Sequence, residues 1–125
     1  MSRSDEDVLR FIAASFTSVW ALELLLVLRG ERRVRSRAEL VTALRASELV
    51  VTRALDGLVA AGLASIEDDG AHYLPVSPDV EACVVRAEEL YRSHPNIVRR
   101  AIIGASASSA TAFADAFKLR KGRDD

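Results

Sequence analysis

A chain of 125 residues, half of them hydrophobic and 28% charged, has enough apolar surface for one core of ordinary domain size. Its net charge of -1 argues against a protein permanently coated with nucleic acid, and its single cysteine, Cys83, excludes an internal disulfide or a multi-cysteine metal site. The longest apolar run, residues 19–28, is interrupted by Glu23 and too short for a bilayer; no basic segment with an apolar stretch opens the chain, so the expectation is a cytoplasmic protein with no membrane partner.

The first helical stretch opens at Ser4, with Asp5, Glu6 and Asp7 at the positive end of the helix dipole, and continues through Val8, Phe11, Ile12 and Phe16. The polar trio Ser15, Thr17 and Ser18 marks a kink or a fresh N-cap. Residues 19–28 beyond it are apolar nearly all round, so this helix has to be covered on most sides. Gly30 ends it. Residues 29–37 form a connector in which Val34 and its neighbours are placed to make a short strand.

Ser36 stands three residues before Glu39, the reciprocal pairing of a capping box, and predicts a short helix with Leu40, Val41 and Leu44 inward. Arg45, Ala46 and Ser47 make a turn. Residues 48–61 form the second helix, with Ser47 as its N-cap and Val51, Leu55, Leu58 and Gly62 on one side at steps of 4, 3 and 4. Gly62 closes it. Residues 64–67 and 71–76 then read as two short strands joined at an Asp-Gly turn, a small hairpin.

Ser77-Pro78 gives an N-cap and a proline at the first helical position, and Val80, Val84, Ala87 and Tyr91 follow at helical spacing. Cys83 on this helix reads as a small buried side chain. Pro95 interrupts the run, and residues 96–103 make a shorter helix before Gly104. Residues 105–109 are small and polar, as in a linker. Residues 110–121 place Phe113 and Phe117 on one side with Ala110 and Ala114, and end in cations that suit a helix C-terminus.

The run AELVTALRASELVVTRALDGLVAAGLASIEDDGAHYLP resembles winged-helix transcription regulators of the broad MarR and PadR type, whose second helix follows a pattern close to s..vsraL..L...GLv before the wing. The likeness covers about forty residues, a third of the chain. It implies a mainly α fold with a small β-hairpin wing, a winged helix-turn-helix with N- and C-terminal helical extensions. The organisation expected is one domain over residues 1–125: an N-terminal helical part (1–30), the helix-turn-helix and wing (31–76), and a C-terminal helical part (77–125). The resemblance further implies double-stranded DNA as partner and a homodimer whose two recognition helices enter successive major grooves. Phe11, Phe16, Trp20, Tyr91, Phe113 and Phe117 are the candidates for the dimer contact, because the apolar excess at both ends is more than one small winged helix needs.

The charge pattern agrees with that reading. From residue 29 to 53 seven arginines stand against three glutamates, whereas residues 54–98 carry eight acids against two arginines. A basic block around a helix-turn-helix is what phosphate contact requires. Within the second helix Leu49, Thr52, Arg53, Asp56, Gly57 and Ala60 face away from the buried side, with Val50 on the flank. Arg53 is the candidate for a bidentate guanine contact, Thr52 and Ser47 for hydrogen bonds to phosphate or base, and Val50 or Leu49 for a thymine methyl. Arg32, Arg33, Arg35, Arg37 and Arg45 are placed to hold the backbone, and His72 lies on the wing.

Against it stand Glu48 and Asp56, which bracket the second helix, and Asp68-Asp69 at the wing tip, all of which repel phosphate if aimed at a groove. The alternative is therefore a winged-helix interaction module in which Leu49, Val50 and the basic connector bind a regulatory protein partner. Little points to an enzyme. Cys83, His72 and His94 fall on a helix face, a wing and a helix end, with no nucleophile elbow or phosphate loop among them, and no cofactor or metal is expected.

Overall fold

The computed structural model describes residues 3–105, in the order α1 (Arg3–Ser15), α2 (Val19–Gly30), β1 (Arg35–Ser36), α3 (Arg37–Leu44), α4 (Glu48–Ala60), β2 (Ala64–Glu67), β3 (Gly70–Tyr73) and α5 (Pro78–Ser93). A last helix, α6, covers residues 95–105. The architecture is mainly helical with one small antiparallel sheet of strand order β1-β3-β2. The segment 110–121, with Phe113 and Phe117, lies outside the described residues.

The polar trio after α1 makes a corner. Ser18 adopts an extended backbone and its hydroxyl accepts from the Ala21 amide at 3.2 Å, capping α2 afresh, so α1 and α2 meet at 101°. Among the described residues no single helix is long and apolar enough to cross a membrane. Instead α2 is the hub of the core: Ala21, Leu22, Leu24, Leu25 and Leu28 are fully buried against α3, α4 and β3. Each leucine so buried contributes about 1.5–3 kcal/mol of transfer free energy. The other layer is α1 on α5, where Val8, Ile12 and Phe16 bury on one side and Val84, Ala87 and Leu90 on the other.

α3 begins where the sequence places it. The Ser36 hydroxyl accepts from the Glu39 amide at 3.1 Å, and the Glu39 carboxylate accepts from the Ser36 amide at 3.4 Å. Hydrogen bonds from Arg33 and then from Ser36 hold that carboxyl well below its ordinary 4.5, at about 2. A carboxyl depressed in the folded state stabilises the fold above its unfolded value and loses that contribution as pH falls through the folded one. The melting temperature of the wild type should therefore exceed that of Glu39→Gln above about pH 4.5, and the two should converge as pH falls towards 2. Curves that stay parallel over that interval would show the pair to be without consequence. The effect is expected to be small and salt-sensitive, because the Glu39 side chain is 40% exposed.

The hairpin differs from expectation in its turn. Glu67 pairs with Gly70, so the two turn residues are Asp68 and Asp69, with Asp68 taking the left-handed conformation at φ 49°. Gly70 is instead the first residue of β3. It is needed there because β1 crosses so close that a Cβ would lie 2.5 Å from the Arg35 carbonyl oxygen. Leaving β3, the chain turns back along the end of α4, with the Leu74 and Val76 amides donating to the Leu63 and Gly62 carbonyls at 3.0 Å. Gly62, at φ +76°, ends α4. α6 runs on through Gly104, where a stop was expected; an exposed glycine weakens a helix by about 1 kcal/mol without ending it, and buried Val98 and Ile102 hold this one in place.

Candidate nucleic-acid interface

α4 has a buried side and an open side. Val51, Ala54, Leu55 and Leu58 are buried, whereas Leu49, Arg53, Asp56 and Ala60 are exposed, Leu49 at 57%. Thr52 and Val50 are half-buried on its edges. The open stripe of 49, 53, 56 and 60 is the i, i+4, i+7, i+11 row of one helix face. Gly57, expected on that face, is instead beneath the α1–α2 corner, since a Cβ there would lie 3.2 Å from Thr17 Oγ1. The Ser47 hydroxyl caps the helix by accepting from the Val50 amide at 3.1 Å, which fixes its place at the N-terminus of α4.

The turn before α4 is held by Arg45, a non-glycine residue in the left-handed conformation (φ 54°), whose amide closes α3 on the Thr42 carbonyl. The Arg45 side chain is exposed, and so is that of Arg53. Among the described residues neither is engaged by an acid. Arg37 at the start of α3 donates from Nη1 to Thr52 Oγ1 at 2.6 Å, and its amide donates to the Asp69 carbonyl at 3.0 Å.

The rest of the basic connector is neutralised within the chain. Arg33 hydrogen-bonds Glu39 at 2.8 Å and Glu31 at 3.1 Å. Arg35 donates to the Val27 carbonyl at 3.2 Å, and its Nε lies in ion-pair range of both glutamates, at 3.5 and 3.6 Å, without a hydrogen bond to either. Arg32 reaches Glu81 at 3.2 Å and lies over the Tyr73 ring. Arg29, only 10% exposed at its side chain, donates to Glu88 at 2.7 Å and to Glu81 at 3.4 Å, and Tyr73 donates its hydroxyl to Glu81. Burial and then Glu81 push that phenol up to about 12. This clamp of Arg29, Arg32, Tyr73, Glu81 and Glu88 fastens the sheet to α2 and α5, which is why the arginine block is less available for phosphate than its sequence density indicates.

The β2–β3 hairpin offers little positive charge. Asp68 and Asp69 are exposed at its tip. His72 is half-buried on β3 with its Nδ1 4.0 Å from Glu67 and without a hydrogen bond among the described residues. Of the aromatic residues expected at a dimer contact, Phe16 and Tyr91 are buried in the chain's own core at 2% and 9% exposure, which removes them as surface anchors. Phe11 is half-buried and packs edge-on against Phe16, while Trp20 is 43% exposed. Trp20 lines a cleft of about 440 Å³ with Val19, Val27 and Leu44, where Glu23 and Arg99 both bond the Tyr91 hydroxyl.

The Arg29–Glu88 pair has no local signal in the sequence, since its partners stand 59 positions apart. Compared with family models, with curated proteins and with solved structures, the chain matches none of them.

Proposed function

We propose that the chain is a winged helix-turn-helix DNA-binding regulator of the MarR- and PadR-like type, acting as a dimer that lays α4 in the major groove, and that it is not an enzyme. The observation that carries the reading is the open outer face of α4, with Arg53 exposed on it and no described segment lying across Leu49, Arg53 or Asp56. Helix α3, the turn at Arg45 and α4 are the helix-turn-helix, and β2–β3 with β1 is the wing. Arg53 is the base-reading residue, with Val50 or Leu49 against a thymine methyl; Arg37 and Arg45 hold phosphates, and the remaining connector arginines brace the fold. Trp20, 43% exposed, and half-buried Phe11 are the aromatic anchors left for a twin copy among the described residues.

A duplex enriched from a random pool by the wild type supplies the test. Arg53→Ala should weaken binding to it by about 1–3 kcal/mol and relax preference at one base pair. Arg92→Ala, on α5 with a 76% exposed side chain, should leave it unchanged. Equal binding by wild type and Arg53→Ala would count against the proposal.

A second reading, an interaction module for a regulatory protein, is favoured by the exposed Leu49, the acidic wing tip and the neutralised connector. It predicts no salt-dependent duplex binding at all.

A further inference from the structure

Arg37 differs from its neighbours in the connector. Arg32, Arg33 and Arg35 each have a glutamate within ion-pair range, whereas Arg37 has no acidic partner among the described residues. Its backbone is tied to the wing turn through the Asp69 carbonyl and its side chain to α4 through Thr52, so three elements meet on this one residue. With Nη1 committed to Thr52, the guanidinium keeps Nε and Nη2 as unspent donors, and a guanidinium fork matches a phosphate. We propose that Thr52 is a positioning residue: its hydroxyl holds the Arg37 guanidinium ready for a DNA backbone phosphate and does not itself touch the nucleic acid. This rests on the DNA-binding reading of α4 and reassigns Thr52 within it.

The physical ground is preorganisation. A free arginine must give up its rotamer freedom when it meets a phosphate, at a cost of about two- to tenfold in affinity. The hydrogen bond of 2.6 Å to a residue on a rigid helix makes that sacrifice during folding instead. Thr52 is half-buried at the edge of the open face, and valine matches threonine in shape while lacking the hydroxyl, so the hydroxyl is removable without leaving a cavity.

The test is a double-mutant cycle on mixed-sequence duplex DNA across a salt series, because a phosphate contact is independent of sequence. Arg37→Ala should lower affinity about tenfold and reduce the slope of log K against log salt by about one. Thr52→Val should lower affinity about two- to tenfold in the wild type and have no further effect in Arg37→Ala; Thr52→Ser should restore wild-type binding. Thermal melts establish that each variant is folded. An equal loss from Thr52→Val in both backgrounds would mean that Thr52 contacts DNA itself and would overturn the inference while leaving the function standing. Unaltered binding by Arg37→Ala would overturn it too. A wild type without salt-dependent duplex binding would remove both together.

Discussion

Leu58→Ala is expected to cost about 2–5 kcal/mol of folding stability, whereas Leu49→Ala on the same helix should stay within about 0.5 kcal/mol. The two leucines differ in side. Leu58 is completely buried on the face of α4 that packs against α2, so its removal forfeits transfer free energy and leaves a cavity under the hub of the core. Leu49 is 57% exposed and has little to lose. At about 4 °C per kcal/mol for a domain of this size, the first variant is separated from the second by melting alone. Comparable losses from both would mean that the outer face of α4 is covered, and the functional reading would lose its footing.

Gly70→Ala should destabilise the chain by about 1–3 kcal/mol, although it adds one methyl group. The new Cβ would lie 2.5 Å from the Arg35 carbonyl oxygen and 2.9 Å from Val34 Cγ1. Backbone cannot step aside as a flexible side chain can, so β1 must separate from β3. Because Ser36 is both the end of β1 and the cap of α3, the disturbance should reach the helix pair. Faster hydrogen exchange across the β1–β3 pair would report it, and unchanged exchange with unchanged melting would refute it. Gly104→Ala is the control. Nothing lies within 4 Å of the added Cβ, and the exchange of glycine for alanine inside a helix should stabilise it by about 0.4–1 kcal/mol.

How much of this was legible follows from the range over which each interaction acts. The capping box of Ser36 and Glu39, the cap at Ser47 and the corner at Ser18 are encoded within three residues, and the structure has them where the sequence places them. The inward face of α4 is legible from periodicity, and the burial of α2 from its nearly unbroken apolar run. The hairpin turn departs from the Asp-Gly signal, which is local, because Gly70 answers to β1, some 35 positions earlier. The pairing of the arginine block is hidden from the sequence for the same reason. Density along the chain says nothing about Glu81 and Glu88, which arrive from α5 and take up Arg29 and Arg32. Apolar excess points Phe16 and Tyr91 to a subunit contact, but packing of α1 on α5 consumes that excess internally.

Titrating duplex DNA into isotope-labelled protein, with backbone amide resonances followed throughout, decides whether the outer face of α4 meets DNA. A chain of 13.6 kDa is well within reach of that measurement. The amides of Arg45, Leu49, Val50, Thr52 and Arg53 should shift together as duplex is added, with those of Asp68 and Asp69 moving as the hairpin approaches and those of α5 holding still. Saturating duplex that leaves the α4 amides unmoved, or moves only those of α5 and the Trp20 cleft, would contradict it.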